Sequence, residues 1–153
     1  MEVRIAVQDD VENICRLYNE FFEFNANQQP QYYKETLESG KYPKSVINSN
    51  TEDIFIAIEG NEVIGFIHIS EDKTLPFETF IQHKFANVID LFVESSFRKK
   101  GVGKLLLDSA KQWAKIRELD YLELNVLAQN KNGIQFYEYE KFEIVSYIMR
   151  CTL

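Results

Sequence analysis

Between an apolar run, Asn87–Val93, and a long amphipathic stretch from Val102 onward lies Arg98-Lys99-Lys100-Gly101-Val102-Gly103-Lys104. A helix start carries unpaired N–H groups and partial positive charge, so it ordinarily favours acidic neighbours. Here four cations crowd that end in a chain of net charge −7, which makes sense if an anion binds there. Gly101 and Gly103 remove the Cβ atoms that would hold a phosphate away from the amides. Two familiar phosphate loops are excluded. A nucleoside-triphosphate loop needs glycine where Arg98 stands and Ser or Thr where Leu105 stands. A dinucleotide loop needs glycine at Leu106.

Other reactive side chains are sparse. Asp90 is the lone charge inside the apolar run Val88–Val93, and an isolated carboxylate in a buried strand needs a reason. The alternatives are a catalytic base, a structural ion pair or an exposed face; Glu94 and Glu123 compete for the first role. No Ser/His/Asp or Cys/His grouping is visible. Cys15 and Cys151 sit at opposite ends in apolar surroundings and read as buried thiols, their pairing left open. His68 and His83 stand 15 residues apart with no third ligand, so no metal site is expected.

The elements that must position these residues follow from hydrophobic spacing. Val3–Val7 reads as a strand, and Val11, Ile14, Cys15, Tyr18, Phe21 and Phe22 fall on one helical face behind an acidic cap. Residues 32–37 suggest a second short helix stopped by Ser39-Gly40, and 41–50 a loop. Asp53–Glu59 and Glu62–Ser70 flank Gly60-Asn61 as a hairpin. After a connection over 71–84 comes the strand Asn87–Val93, then a helix to about Arg117-Glu118. A strand at Tyr121–Val126, a helix from Asn130 to about Tyr139, and strands at Phe142–Ser146 and Ile148–Thr152 complete the order. The pattern is a single α/β domain over 1–153, a mixed sheet with helices.

Composition agrees. With 153 residues, 45% hydrophobic and only nine glycines and prolines together, the chain is globular rather than fibrous or disordered. No apolar run reaches a membrane span of roughly 18 residues, and the start has no secretory layout, so a cytoplasmic protein without a membrane partner is expected. The acidic balance argues against nucleic acid and mildly favours a cationic partner.

Arg98-x-x-Gly101-x-Gly103 after a strand, together with Asn130-x-x-Gly133-x-x-x-Tyr137-x-x-x-Lys141-Phe142 some 27 residues later, resembles the GNAT superfamily of acyl-CoA-dependent N-acyltransferases. The element order matches that family over essentially the whole chain. Two positions depart from its pattern: Gly133 stands for alanine, at some cost in helix propensity, and Lys141 for glycine, which should alter the turn there. The resemblance implies a central, mostly antiparallel mixed sheet flanked by about four helices, binding acetyl-CoA between two splayed strands. It implies that the pyrophosphate rests on Arg98, Lys99, Lys100, Gly101, Val102, Gly103 and Lys104. The pantetheine would pair with the backbone of Leu91, Phe92 and Val93, and with Asn130, which alternatively caps its helix. It also implies direct acetyl transfer to a primary amine of a small molecule or peptide, Tyr137 as general acid (or a member of an aromatic cluster) and Asp90 as base. Phe21, Phe22, Glu23, Tyr32 and Tyr33, with Phe77, Glu78 and Phe80, are the acceptor contacts expected. Homodimers are known in the family. The competing reading is a non-catalytic acyl-CoA sensor, which would need the loop but neither acid nor base.

Overall fold

The computed structural model describes residues 1–153. Five strands, β1 (Glu2–Ile5), β2 (Glu52–Glu59), β3 (Glu62–Lys73), β4 (Lys84–Val93) and β5 (Leu122–Leu124), form one sheet in the order β1-β2-β3-β4-β5. All neighbours are antiparallel except the parallel pair β4 and β5. Four helices complete the fold: α1 (Val11–Gln28), α2 (Lys41–Ile47), α3 (Val102–Ile116) and α4 (Lys131–Tyr139).

The sheet separates two apolar layers. On one face α3 contributes Val102, Leu106, Leu107, Ala110, Trp113 and Ala114, packed on Ala57, Ile64, Ile67, Ile69, Ala86 and Val88. On the other, α1 and α2 contribute Ile14, Leu17, Tyr18 and Val46 against Ile54, Ile56, Val63, Phe66 and Phe92. Each buried aliphatic of this kind is worth about 1.5–3 kcal/mol relative to exposure. α1 begins beside a charged clasp: Arg4 donates to both Asp10 oxygens at 2.7 and 2.9 Å, and the Val7 amide donates to the same carboxylate at 2.8 Å.

One irregularity decides where Asp90 points. In the β3–β4 register His68 opposes Asp90 but Ile69 opposes Val88, so Ile89 is an extra residue in β4. Such a bulge shifts the alternation of faces. Val88 therefore joins the α3 layer while Phe92, also even-numbered, joins the α1 layer, and Asp90 falls on the side of Phe92, within reach of Tyr18.

Three expectations change. The second helix is not at 32–37, which is exposed and irregular, but at Lys41–Ile47, where a loop was expected. Gly40 takes φ +84 as its N-cap, Pro43 sits in the first turn where a missing N–H is harmless, and Pro43 and Val46 are buried. Residues 32–37 offer no comparable apolar face.

The two closing strands are also absent: residues 142–153 carry no regular structure, and Ile144, Val145, Tyr147, Ile148 and Met149 are exposed. Strand propensity is realised only by pairing, and this segment finds no partner strand within the chain. Cys151 is accordingly an exposed thiol rather than a buried one; Cys15 is half-buried, its thiol pushed up chiefly by burial, and both are free.

Lys141 follows α4 with a positive φ. It adopts φ +71, the left-handed conformation a glycine would favour, at a cost of roughly 1–2 kcal/mol.

Candidate functional site

β4 pairs with β5 only over Ala86–Val88 and Leu122–Leu124, whereas its pairing with β3 continues to Val93. Beyond Val88 the two parallel strands part, and the β5-facing edge of Leu91–Val93 has no neighbouring strand. This is the splay that the family resemblance implied. An exposed strand edge can take an extended chain of alternating donors and acceptors.

The chain leaves that edge through a short turn and enters α3. Lys99 (φ +60) and Gly101 (φ +85) are left-handed, and Leu105 donates back to Gly101 at 3.1 Å. The amides from Lys99 to Lys104 find no acceptor within the protein, so they form a concave row of donors at a positive helix end. Gly103 faces the Phe136 ring, whose atoms would meet an added Cβ at ordinary van der Waals distance. Arg98, Lys99, Lys100 and Lys104 are all exposed around this row. Lys104 leans on Asp108 at 2.8 Å, and Arg98 donates through Nε to the Val93 carbonyl at 2.8 Å with its guanidinium over Phe24 and Phe92.

α4 supplies the next two residues. Asn130 caps it, its side-chain oxygen accepting from the Gly133 amide at 2.9 Å. A Cβ at Gly133 would lie 2.5 Å from the Asn130 side-chain nitrogen, so the glycine gives that amide room to lie across the helix start. Of the two roles the sequence left open, capping is the one occupied here. Tyr137 packs between Phe136 and Phe142 at ring separations of 5.2 and 5.7 Å. Burial, reinforced by the charge of Asp90, pushes its hydroxyl up to about 12.

Asp90 lies across the sheet from α3. Its Oδ2 accepts from the Tyr18 hydroxyl at 3.1 Å and stands 4.0 Å from His68 Nδ1. Burial raises its proton affinity, opposed by the His68 charge and the Tyr18 hydrogen bond. His68 is fully buried and contacts the Tyr42 hydroxyl through Nδ1 at 3.0 Å and Glu52 through Nε2 at 2.8 Å. Tyr42 is pushed up to about 12 by burial and the neighbouring Asp90 and Glu52 charges. Tyr18 is raised further, also chiefly by burial.

Sequence reasoning singled out Asp90 and passed over Tyr18, Tyr42, His68 and Glu52. For His68 the signal was the same one: a lone polar residue in an apolar strand.

Among the other candidates, Glu94 pairs with Arg16 at 3.3 Å and Glu123 is exposed on β5. Phe21 and Phe22 join the aromatic cluster around Tyr18, Phe66 and Phe92. Glu23 lines a cleft of about 320 Å³ with Asn19, Glu20, Glu35, Thr36 and Leu37. Tyr32 and Tyr33 are exposed, Tyr32 beneath the Arg150 guanidinium. Phe77 and Phe80 pair with each other at 6.1 Å in the β3–β4 connection.

A five-stranded mixed sheet that opens between β4 and β5, with a basic, glycine-bearing helix start at the opening, is the architecture the resemblance implied. The model of the acetyltransferase (GNAT) family matches residues 11–142, and the chain belongs to that family. An uncharacterised N-acetyltransferase of Methanocaldococcus jannaschii is 26% identical over 141 residues, 92% of this chain but 60% of the relative. The chain thus spans about three fifths of that protein. Among solved structures, a tetramutant of the BH1408 protein from Bacillus halodurans superposes with TM-score 0.94 at 18% identity, covering all of both chains. An aminoglycoside N-acetyltransferase in complex with CoA superposes with TM-score 0.73 at 18% identity, over 98% of this chain and 100% of the other.

Proposed function

We propose that the chain, acting as one domain over residues 1–153, is an acetyl-CoA-dependent N-acetyltransferase that moves the acetyl group directly onto a primary amine without a covalent enzyme intermediate. The observation that carries this reading is the unpaired edge of Leu91–Val93 running into the row of unfilled amides from Lys99 to Lys104. An extended amide-bearing arm ending in a pyrophosphate fits both at once. Arg98, Lys99, Lys100 and Lys104 hold the phosphates. Arg98 must also release the Val93 carbonyl so that the strand edge can pair.

Bound there, acetyl-CoA supplies a thioester carbon open to attack. The protein supplies position, which alone is worth several kcal/mol, and a backbone N–H near Phe92 or Val93 that steadies the charge growing on the carbonyl oxygen. Asp90 removes the proton from the incoming ammonium, whose unperturbed pKa near 10.4 keeps it charged at neutral pH. Burial of Asp90 strengthens it as a base. Tyr137, protonated at any physiological pH, donates toward the departing sulfur. Complete transfer to a thiolate of pKa about 8.5 would be uphill by some 5 kcal/mol from a phenol near 12, so its main contribution is a hydrogen bond formed as charge develops.

The acceptor is a small-molecule or peptide amine entering from the α1 side, where Phe21, Phe22, Glu23, Tyr32 and Tyr33 stand. Aromatics and carboxylates there suit a cationic acceptor.

Two measurements test the proposal. Thermal unfolding with acetyl-CoA, free CoA and ATP should show stabilisation of several degrees by both CoA species and none by ATP. Thiol release from acetyl-CoA with a free-amino-terminus peptide, a diamine and sisomicin should then exceed hydrolysis for at least one amine. CoA binding with no turnover on any of them would favour the sensor reading.

A further inference from the structure

We propose that Tyr18 is a positioning residue for Asp90: its hydroxyl holds Oδ2, leaves Oδ1 open to the acceptor and favours the carboxylate over the acid. The proposal rests on Asp90 being the base that deprotonates the acceptor.

Tyr18 lies on the α1 face that packs on the sheet, with Ile14 and Leu17, and is only 1% exposed. Four rings surround its own. Phe66 stands 4.4 Å away between centroids, Phe22 5.5 Å, Tyr42 5.9 Å and Phe21 6.4 Å. A phenylalanine would fill this cage equally well, and a buried phenol needs a partner for its O–H. That partner is Asp90, whose Oδ2 accepts from the Tyr18 hydroxyl at 3.1 Å.

The two carboxylate oxygens are therefore unlike. Oδ2 is engaged by Tyr18 and stands 4.0 Å from His68 Nδ1, beyond hydrogen-bond reach. Oδ1 receives no hydrogen bond from the protein, yet no buried side-chain oxygen is left without one. Oδ1 thus belongs to the 18% of the side chain that solvent reaches. An ionised carboxylate accepts at either oxygen, and the one turned outward is the one an ammonium can meet.

The same bond bears on charge. Burial raises the proton affinity of Asp90, while the His68 charge and the Tyr18 hydrogen bond oppose it. The other phenols around Asp90 are Tyr42 from α2 and Tyr137 from α4, both pushed up to about 12 chiefly by burial. Tyr18 is raised further, and Glu38, in the segment before α2, adds its charge to Tyr18 and Tyr42. All three phenols stay neutral near pH 7. Both His68 nitrogens are occupied elsewhere, by the Tyr42 hydroxyl at 3.0 Å and Glu52 at 2.8 Å. Tyr18 is left as the one donor to Asp90, and a donor to the charged form stabilises that form.

Tyr18→Phe keeps the ring and removes the donor. With carbon-13 in the aspartate carboxyl groups, and Asp90→Asn for assignment, the Asp90 midpoint should rise by about one pH unit in Tyr18→Phe. In turnover of the best of the three probe amines, the acid limb of kcat/KM should rise with it. The loss is then about tenfold on the limb and about threefold or less on the plateau above it. Damage to the fold alone would lower the whole profile without moving the limb. In an Asp90→Asn background, Tyr18→Phe should cost little more, because the phenol acts through the carboxylate.

Should Tyr18→Phe fail to fold, the tyrosine Cζ resonances carry the test. With Tyr42→Phe and Tyr137→Phe identifying the other two phenols near Asp90, the Tyr18 Cζ should titrate with the Asp90 midpoint and cease to do so in Asp90→Asn. An Asp90 midpoint unmoved in Tyr18→Phe, a Tyr18 Cζ insensitive to Asp90, or an unmoved limb beside a slow Asp90→Asn would overturn the role of Tyr18 alone. Asp90→Asn turning over as fast as wild type would overturn the assignment of Asp90 as base and the role of Tyr18 with it.

Discussion

Replacing Tyr137 by phenylalanine isolates one atom. The ring keeps its contacts with Phe136 and Phe142, at 5.2 and 5.7 Å, so the helix and the turn after it should be undisturbed. What disappears is a donor held protonated by burial and by Asp90, with its hydroxyl near 12. A positioned donor toward developing charge contributes about 2.7–4 kcal/mol in comparable sites, so kcat should fall roughly 100- to 1,000-fold. The KM for acetyl-CoA should stay within about twofold, because the phenol acts only as the sulfur departs. Steady-state thiol release over a range of acetyl-CoA concentrations, at saturating amine, separates the two constants. The pH profile adds a sign. A group titrating near 12 leaves kcat flat on its account from pH 8 to 10, so an alkaline fall in that window belongs to another group and should persist in the variant. A kcat within about threefold of wild type would refute the role of Tyr137. A large rise in KM with kcat intact would make it a binding residue instead.

Three further expectations are independent of that one. Arg4 holds Asp10 below the usual carboxylate range, so the clasp stabilises the fold above the unfolded carboxylate value near 3.9 and fades as pH falls through the lower folded value. Asp10→Asn should cost about 1–2 kcal/mol at pH 7, discounted for the partly exposed arginine, and progressively less as the pH is lowered below the unfolded carboxylate value; a Tm loss that does not shrink on acidification would contradict this. At Gly65 an added Cβ would lie 2.9 Å from the Phe92 carbonyl and 3.3 Å from Val93. Gly65→Ala should therefore push β3 from β4, lower the unfolding free energy measured in urea by about 1–3 kcal/mol and weaken CoA binding; unchanged stability would mean the strands yield freely. Lys100→Glu should weaken CoA binding about tenfold at low salt and much less at 0.5 M, since exposed charges are screened. Calorimetric titration showing equal losses at both salts would remove Lys100 from the phosphate contacts.

β2, β3, β4, α1 and α3 were legible because each carries an apolar pattern that matches its burial, whereas α4, which buries no residue fully, was legible from the motif Asn130 to Tyr137. The Gly60-Asn61 hairpin and the anion-suited start of α3 were legible because their residue types serve one conformation. α2 was hidden, since its seven residues include a proline and its helical face emerges only when Pro43 and Val46 meet the sheet. The strands expected over 142–152 have strand composition, yet composition cannot supply a neighbour. At the site, Asp90 stood out as a lone charge, while Glu52 looked like any strand-end carboxylate. Its place beside His68 depends on the register between β2 and β3, which no local pattern encodes.

The extra residue in β4 puts residue number and strand face out of step. Deleting Ile89 would make Val88 and Asp90 consecutive residues on opposite faces, still facing Ile69 and His68 on β3, so the contact of Asp90 with Tyr18 should outlast the loss of the bulge. Parity along the sequence is therefore no guide to the face a β4 residue takes: Val88 and Asp90 share it and point to opposite layers. In a relative whose strand lacks the extra residue, an alignment drawn without a gap would set Asp90 against a residue of the opposite face.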